Sequence, residues 1–420
     1  MKIAFFTDDY LPYVHGVTTS IQNYRQALEE LGHEVYIIAP KPKMKNYVDN
    51  DDHVIRMPSV MSYIFDKRPV SLLYPGIARK LYKYNFDIVH SHTQFYLFVI
   101  AGLVAKKQNV PHVTTVHTLF SELLDDYPTA VTAGLIAASV GFPFVYKQKP
   151  ILPFSSAKEI LELSSYERGE IRKRQGWRLI AACVDQADFG IAPSQHLLET
   201  LLESGTTIPL HIMPNGISLE RYEKAKSSDS PLTKKPGEKF IISVARVSGE
   251  KRQRVLIDSL QYVKTKNVKL ILVGDGPESK NLKRKADDMG VSDQVVFTGL
   301  LPPEDVAAIL KQSDIFTLAS YHFDNQPMSI LEAIASGLPI VYCDEKLTEA
   351  LSPENSALTD GIEGEDFAII FDELLKDDAK RRMMSQASVA VSKEFDRSDL
   401  VKQLEQTYKT LSVEKHVETL

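Results

Sequence analysis

The sequence predicts an α/β protein built from two Rossmann-like, doubly wound domains with a cleft between them. Short apolar runs rich in β-branched residues alternate with amphipathic segments, which indicates parallel strands covered by helices on both faces. The alternation starts again near Asp185, and 420 residues are too many for one ordinary core. We therefore expect an N-terminal domain over residues 1–205 and a C-terminal domain over residues 206–394.

The N-terminal elements follow from the local pattern. The predicted strands of the first series are "KIAFFT", "EVYIIAP", "DIVHSH" and "HVTTVHT", and "FGIAPS" and "HIMPNG" follow where the pattern starts again near Asp185. The segment "TSIQNYRQALEELG" has the spacing of an amphipathic helix that ends at Gly32. Thr18, Thr19 or Ser20 could cap this helix, and Gly16 before them would let a ligand approach the backbone near an anion-attracting helix terminus. A plain loop with a cap is the alternative.

The C-terminal elements repeat the alternation. A polar, lysine-rich segment, "YEKAKSSDSPLTKKPGEK", is interpreted as a solvated loop near a domain boundary. The predicted strands after it are "FIISVARV", "KLILVGDG", "QVVFTGLL", "DIFTLAS" and "PIVYCD", and "SDLVKQLEQTYKTL" is the predicted last helix. Ligands of such sheets bind beyond the carboxyl ends of the strands, so the loops at those ends hold the candidate site.

Composition argues against several classes of protein. The formal net charge of −6 does not indicate a nucleic-acid partner. Two distant cysteines, Cys183 and Cys343, suit a reducing compartment without a disulfide framework. No G-x-G-x-x-G follows the first strand, which argues against a nicotinamide or flavin dehydrogenase. The start of the chain does not read as a signal peptide, and the apolar stretch 129–146 is short and interrupted. We therefore expect a cytoplasmic protein.

Two basic residues follow the first strand of the second series. Arg246 comes at the end of "FIISVARV", and Lys251 lies in the loop after it. A guanidinium that forks onto oxygen atoms and a lysine that adds a point charge together suit a diphosphate. A basic surface turn is the simpler explanation of such a pair by itself.

A helix N-terminus is predicted in "YHFDNQPMSILEAIASG". Pro327 suits the first turn of a helix, where a missing N–H costs nothing, and Gly337 ends the helix. The backbone amides of Met328 and Ser329 then point out of the terminus, which makes this loop a second site for an anion.

Two acids lie on either side of that terminus. Asp324 is in the loop before the helix, and Glu332 lies about one turn inside an otherwise apolar helix. A buried carboxylate needs partners such as ligand hydroxyls or a cation. Acids that accept from hydroxyls, beside groups that hold phosphate, indicate a nucleotide sugar. The alternative is that Asp324 caps the helix and Glu332 forms an ion pair within the domain.

An ordered set of landmarks runs along the chain. It comprises "TDDYLPYVHGVTTSIQNYRQALEELGHEVYIIAP", "DIVHSHTQF", "TVHTLF", "MPNGI", "ARVSGEK", "VGDGPE", "FTGLL" and "LEAIASGLPIV". Through this set the chain resembles the retaining glycosyltransferases of family 4, whose fold is the two-domain GT-B type. It is most similar to the branch that includes bacterial glycolipid glucosyl- and mannosyltransferases. The resemblance implies a C-terminal helix, about residues 395–420, that returns to an acceptor-side N-terminal domain, and a C-terminal domain that binds the donor.

The resemblance also implies roles for individual residues. Arg246 and Lys251 would bind the donor diphosphate, Asp324 would touch the donor sugar, and Glu332 would hold the nucleotide ribose. His117 would lie at the sugar, so the catalytic set is His117, Asp324, Arg246 and Lys251. The donor-binding set is Gly16, Arg246, Lys251, Leu300, Asp324, Met328, Ser329 and Glu332.

No metal or cofactor is predicted. His90, His92, His112 and His117 are scattered along separate segments and do not show zinc-ligand spacing; His90 is interpreted as a strand residue. The family resemblance implies a UDP- or GDP-sugar as the donor substrate and no essential metal.

The sequence departs from the family pattern in the donor loops. Asp324 stands where Glu is usual, and Gln326 and Pro327 replace a frequent Phe and Gly. The segment "YCDEKLTEAL" lacks the usual double glycine. We interpret these changes as a changed donor pocket in an active enzyme.

The acceptor is predicted from the middle of the chain. An apolar stretch, 119–154, overlaps at its end with a run of basic residues over 147–178: Lys147, Lys149, Lys158, Arg168, Arg172, Lys173, Arg174 and Arg178. Such a combination is typical of a protein bound to an anionic membrane, although a buried helix pair with a solvated face is an alternative. The main hypothesis is a transferase acting on a membrane lipid at the inner face of the cell membrane. The alternatives are a soluble transferase acting on a polysaccharide or small glycoside, and a non-catalytic nucleotide-sugar-binding protein.

Overall fold

The chain folds into two structural units. The structure is a computed structural model and describes residues 1–13, 15–44, 47–62, 68–74, 76–117 and 165–417. The N-terminal unit is Met1–Pro214 with Leu400–Leu420, and the C-terminal unit is Asn215–Asp399. The apolar stretch 119–154 and the basic residues Lys147, Lys149 and Lys158 lie outside the described residues. Within the described ranges, no helix combines the length and the apolar character needed to span a bilayer.

A parallel sheet forms the centre of the N-terminal unit. The strands of this unit are β1 (Lys2–Phe6), β2 (Glu34–Pro40), β3 (Val54–Met57), β4 (Ser59–Ser62), β5 (Arg68–Ser71), β6 (Ile88–Ser91), β7 (His112–Thr115), β8 (Phe189–Ala192) and β9 (Leu210–Ile212). The sheet order is β3-β2-β1-β6-β7-β8-β9, and β4 and β5 form a separate antiparallel pair. Nearly every residue of β1, β2 and β6 is buried, as expected for strands covered on both faces.

Helices surround this sheet. The described ones are α1 (Gly16–Glu30), α2 (Tyr96–Gln108), α3 (Ser165–Val184) and α4 (Gln195–Glu203), with a 3-10 helix over Ile77–Tyr84. The last helix of the chain runs from Arg397 to Val417, and its side chains at Val401, Leu404 and Tyr408 belong to the same buried cluster as Ile3 and Phe5. The N-terminal unit is therefore built from both ends of the sequence.

The C-terminal unit has a second parallel sheet. Its strands are β10 (Lys239–Val244), β11 (Val268–Val273), β12 (Val295–Gly299), β13 (Ile315–Leu318), β14 (Ile340–Tyr342) and β15 (Ser356–Leu358). Its helices are α5 (Leu219–Lys224), α6 (Gln253–Ser259), α7 (Ser279–Asp288), α8 (Pro303–Gln312), α9 (Met328–Ala335), α10 (Gly364–Lys376) and α11 (Asp378–Ser392). The helix Arg397–Val417 is α12.

Both sheets have the doubly wound strand order. The second sheet runs β12-β11-β10-β13-β14-β15, and the direction of winding reverses between β10 and β13. The first sheet reverses in the same way between β1 and β6. Crevices at the carboxyl ends of strands beside such a reversal are the usual ligand sites of these folds. The predicted α/β class with two Rossmann-like sheets is confirmed.

One local prediction was wrong and another holds for most of its length. Helix α1 begins at Gly16 with the extended residue His15 as its N-cap, so Thr18, Thr19 and Ser20 lie inside the helix and none of them caps it. The Thr18 hydroxyl donates to the Tyr13 carbonyl instead. The lysine-rich segment is an exposed loop over 225–238 with one short 3-10 turn, and only its first three residues, Tyr222–Lys224, belong to α5, because Tyr222 is buried in the hydrophobic core of the C-terminal unit.

Candidate active site

Two of the predicted site residues meet where the strand order of the second sheet reverses. Lys251 ends a 3-10 turn in the loop after β10, and Asp324 lies in the loop after β13. The two strands are neighbours, so these loops leave the sheet side by side. The Lys251 ammonium forms an ion pair with the Asp324 carboxylate, and the side chains are only 16% and 11% exposed. Residues 73 positions apart thus form one charged pair.

The Asp324 carboxylate is held from two sides. One oxygen accepts from Lys251, and the other accepts from the Ser320 hydroxyl. The Lys251 ammonium also lies 5.1 Å from the centre of the Phe323 ring. In the part of the chain that the structure describes, Asp324 accepts no bond from an amide of α9, so the alternative in which it caps that helix is wrong. A fixed, largely desolvated pair of this kind is preorganised to meet a charged ligand.

The N-terminus of α9 adds two hydrogen-bond donors beside that loop. The helix begins at Met328, and Pro327 is its N-cap with extended backbone, so the prediction that Pro327 occupies the first turn was wrong by one residue. The Met328 and Ser329 amides occupy the first two helical positions, where intrahelical partners do not exist. Neither amide has a hydrogen-bond partner among the described residues. A helix end of this kind binds anions.

Glu332 faces a different environment from Asp324. Burial raises its pKa to about 7, although hydrogen bonding to Tyr222 and the positive charge of Arg221 oppose this rise. Both partners are on α5. Within the described residues Glu332 forms no ion pair shorter than 4.0 Å, so the alternative of an internal salt bridge was wrong. Its carboxylate therefore keeps unused acceptor capacity.

The loop that holds Arg246 is supported by two glycines that sequence reasoning left unexplained. A Cβ on Gly274 would lie 2.1 Å from the Ala245 carbonyl oxygen, and one on Gly276 would lie 2.2 Å from that of Val247. Only glycine allows the exit of β11 to lie directly on the loop after β10. The Val247 amide donates to the Asp275 carbonyl at 3.1 Å and fixes this contact. The landmark "VGDG" could have signalled this close approach.

The other predicted site residues of the C-terminal unit, Arg246 and Leu300, lie at the same edge of the sheet. The Arg246 carbonyl accepts from Gln253 Nε2 at 2.7 Å, which ties the start of the loop to α6. Leu300 follows β12 directly, and its side chain is 77% exposed. An exposed apolar side chain at the ligand end of a sheet is available for contact with a ring or base.

Two predicted residues belong to the N-terminal unit. Gly16 is the first residue of α1, directly after the loop that follows β1, and His117 follows β7. His117 Nε2 lies 3.0 Å from His92 Nδ1. Burial lowers the pKa of His117 to about 3, with a further contribution from His15, so the ring is neutral at physiological pH.

Three of the histidines that are scattered along the sequence come together in the structure. His90 and His92 stack with ring centroids 4.2 Å apart, and His92 meets His117 edge to edge, with the facing nitrogens 3.0 Å apart. They converge because β6 and β7 are neighbouring strands and their ends meet at one edge of the sheet. Within the described ranges, one group of residues could hold a metal ion by its spacing, namely His322, Asp344 and Glu345, each with one potential ligand atom. Both Asp344 oxygens there already accept backbone amides, from His322 at 2.7 Å and Lys346 at 3.1 Å.

The raised pKa of Glu332 predicts a pH-dependent cost in stability. The group binds its proton more tightly in the folded state, so stability is greatest below its ordinary pKa of 4.5 and falls as the pH rises through about 7. We expect Glu332→Gln to be more stable than the wild type at pH 8 by roughly 1–3 kcal/mol, and nearly equal to it at pH 4.5. Thermal unfolding at both pH values measures this difference. Glu304→Gln, whose side chain is 74% exposed, is the control; an equal effect of the two substitutions would contradict the prediction.

Comparison with known proteins decides the family. The model described as Glycosyltransferase Family 4 matches residues 14–221, and the model described as Glycosyl transferases group 1 matches residues 225–390. The alpha-monoglucosyldiacylglycerol synthase of Streptococcus pneumoniae is 30% identical over 353 residues, which are 81% of this chain and 70% of that protein. The chain belongs to the family 4 glycosyltransferases.

Other proteins agree with this family and fold. The glycosyltransferase is 28% identical to the alpha-monoglucosyldiacylglycerol synthase of Acholeplasma laidlawii over 355 residues, which are 81% of the chain and 80% of that protein. Its fold is similar to that of Anabaena HepE, solved in complex with UDP-glucose, with a TM-score of 0.67 and 17% identity over 98% of this chain and 100% of that one. The resemblance to GT-B glycosyltransferases expected from the sequence is confirmed.

Proposed function

We propose that this glycosyltransferase moves a hexose from a UDP- or GDP-sugar to a hydroxyl group of a membrane lipid, with retention of the anomeric configuration. The observation that carries the proposal is the Lys251–Asp324 pair beside the unpartnered amides of Met328 and Ser329. An ammonium and two helix-terminal amides suit the two negative phosphates of a nucleotide sugar, and the nearby carboxylates suit its hydroxyl groups. This assignment of residues also rests on the family pattern.

The same groups suit the chemistry of transfer. The bond between the sugar C1 and the diphosphate oxygen breaks, the acceptor oxygen bonds to C1 on the same face, and the acceptor proton passes to the departing diphosphate. Negative charge develops on that diphosphate as the bond breaks. Arg246, Lys251 and the α9 amides stabilise this charge, while Glu332 holds the ribose and Asp324 touches the transferred sugar. Preorganised donors of this type are usually the largest electrostatic contribution to catalysis.

The acceptor class is supported by the relatives. Both the Streptococcus pneumoniae and Acholeplasma laidlawii proteins are named for diacylglycerol glycolipids. The basic side chains of α3, which include the exposed Arg174 and Arg178, suit an anionic lipid surface. We therefore propose that the enzyme works as a peripheral protein at the inner face of the cell membrane.

The proposed activity is tested by product analysis. The purified protein is incubated with UDP-glucose, UDP-galactose or GDP-mannose, each with and without diacylglycerol-containing lipid extract. We expect one donor to yield a glycolipid whose new linkage has the anomeric configuration of the donor by NMR. A product formed only on soluble glycans would replace the lipid acceptor, and binding of a donor without transfer or hydrolysis would leave a non-catalytic binding protein.

Membrane binding is expected to depend on charge. Each basic residue near an anionic surface contributes about 1 kcal/mol, and exposed charges are screened beyond about 8 Å at physiological ionic strength. We expect sedimentation with anionic vesicles, little with neutral vesicles, and release by salt. Changing Arg172, Lys173 and Arg174 together to Glu should reduce binding and leave donor hydrolysis intact.

The matched control for that variant lies on α7. Lys280, Lys283 and Arg284 are exposed, and their replacement by Glu makes the same change in net charge in the C-terminal unit. If both triple variants bind vesicles equally weakly, only net charge matters and α3 has no special role in the membrane contact.

A further inference from the structure

Three imidazole rings form a row at the carboxyl ends of β6 and β7. His90 stacks on His92 with 27° between the ring planes, and His92 meets His117 edge to edge, with 18° between their planes. His90 is fixed at both ring nitrogens, by the Tyr408 hydroxyl at 2.5 Å and the Thr115 hydroxyl at 2.8 Å. The family pattern assigns a role to the last ring of this row, His117, and leaves the middle ring without one.

His92 is enclosed more completely than His117. Its residue surface is 1% exposed, and the Phe5 ring meets it edge-on with centroids 4.6 Å apart. Its Nδ1 faces His117 Nε2 at 3.0 Å, while its Nε2 has no hydrogen-bond partner among the residues that the structure describes. His92 therefore uses one of its two ring nitrogens, and uses it on His117.

One of the two facing nitrogens, His92 Nδ1 or His117 Nε2, must carry the proton of this hydrogen bond. Burial lowers the pKa of His92 well below its ordinary value, and His90 and His117 add to this effect, so both rings of the pair are neutral. A neutral imidazole has one N–H and one bare nitrogen. The two rings must therefore carry their protons at matching positions, either both on Nε2 or both on Nδ1.

The unpartnered nitrogen of His92 distinguishes these two arrangements. With both protons on Nε2, His92 would bury an N–H group that has no acceptor, and buried donors of this kind are rare and cost about 1–3 kcal/mol. With both protons on Nδ1, His92 Nδ1–H donates to His117 Nε2 and only a bare nitrogen is left without a partner. His117 then keeps its own N–H on Nδ1.

We propose that His92 is a positioning residue that holds His117 in the tautomer with its proton on Nδ1. This inference rests on the proposed function for what His117 contacts. His117 presents a hydrogen-bond donor to an oxygen of the bound substrate and does not act as a base. His15, the N-cap of α1, also contributes to the lowered pKa of His117, and its Nε2 pairs with Asp9 at 2.6 Å.

The tautomer is measured directly by ¹⁵N NMR of the intact protein labelled at histidine. The two signals of His117 are assigned by their loss in His117→Asn. We expect the nitrogen chemical shifts to show a protonated Nδ1 and a bare Nε2 in His117, and the opposite pattern would overturn the proposal. In His92→Leu, which lacks the donor, we expect these shifts to move toward a mixture of tautomers.

Kinetics of three variants separate positioning from packing. Asparagine places an amide group near the position of Nδ1, so we expect His92→Asn to retain most of the turnover. We expect His92→Leu to lower kcat about 10- to 100-fold with little change in KM for the donor, as when a histidine loses its orienting partner. His112→Asn is the control, because His112 is equally buried but bonds to Ser91 at 3.0 Å and not to His117.

The outcomes are distinguishable from failure of the proposed function. Equal losses in His92→Asn and His92→Leu at equal thermal stability would overturn the positioning role. If the wild type transfers no sugar from any donor, the proposed function fails, and the NMR shifts still decide the tautomer of His117.

Discussion

Lys251→Ala is expected to lower turnover by roughly 2–4 kcal/mol of transition-state stabilisation, the usual cost of removing one preorganised donor. The ammonium is held by Asp324 in a largely desolvated site, so it needs little reorganisation when charge develops on the leaving diphosphate. Arg246→Ala should have an effect of similar size, since both cations are proposed to clamp the same diphosphate. Steady-state turnover with the preferred donor measures both.

The controls for Lys251 separate charge from collateral damage. Arg254→Ala removes an exposed cation from α6, close in sequence to the same loop, and should leave turnover unchanged. Removing Lys251 also leaves the Asp324 carboxylate without its cation, which itself destabilises a buried site. Thermal unfolding of Lys251→Ala measures this destabilisation separately from turnover, so a fold-wide loss is told apart from loss of the charge at the diphosphate. Near-normal turnover in folded Lys251→Ala would contradict the proposal that Lys251 binds the donor diphosphate.

Asp324→Asn is expected to reduce turnover by about 100-fold, with a small effect on the affinity for free nucleoside diphosphate. The substitution keeps the size of the side chain and removes the charge that orients Lys251 and, in the proposed function, contacts the sugar. Glu332→Gln should do the reverse and mainly weaken nucleotide binding, because Glu332 is proposed to hold the ribose. Asp324→Glu tests the departure from the family pattern: full activity would mean that the shorter acid does not set donor specificity.

Calorimetric titration with UDP and GDP distinguishes the two acids. Equal losses of affinity in Asp324→Asn and Glu332→Gln would contradict the assignment. The pH dependence adds a second criterion, because the proposed contact with both ribose hydroxyls needs the ionised form of Glu332, whose pKa is about 7. Wild-type affinity should therefore weaken as the pH falls through 7, while Glu332→Gln should show a flat profile over that range.

Local pattern was sufficient for most of the fold. The apolar runs that become β1, β2, β10, β11 and β13 are continuous because both faces of these strands are buried, and that signal is visible without tertiary information. The errors came where burial outweighed local composition. The loop predicted to begin at Tyr222 begins three residues later, because the buried tyrosine keeps Tyr222–Lys224 in α5. Likewise, the three hydroxyl residues after Gly16 indicated a cap, yet α1 starts before them.

The candidate site divides in the same way. The sequence by itself determined which strand–loop–helix units carry charge, namely the loops with Arg246, Lys251 and Asp324 and the helix with Glu332. Residue type and spacing along such a unit are local properties. Only the tertiary structure decided that Lys251 and Asp324 form one pair across 73 positions, and that His92 faces His117 across 25. The order of strands in a sheet brings such loops together, and sequence spacing does not encode that order. The tertiary structure also decides the protonation states of Glu332 and His117. Burial raises the pKa of the first and lowers that of the second, and burial is not visible in the local sequence.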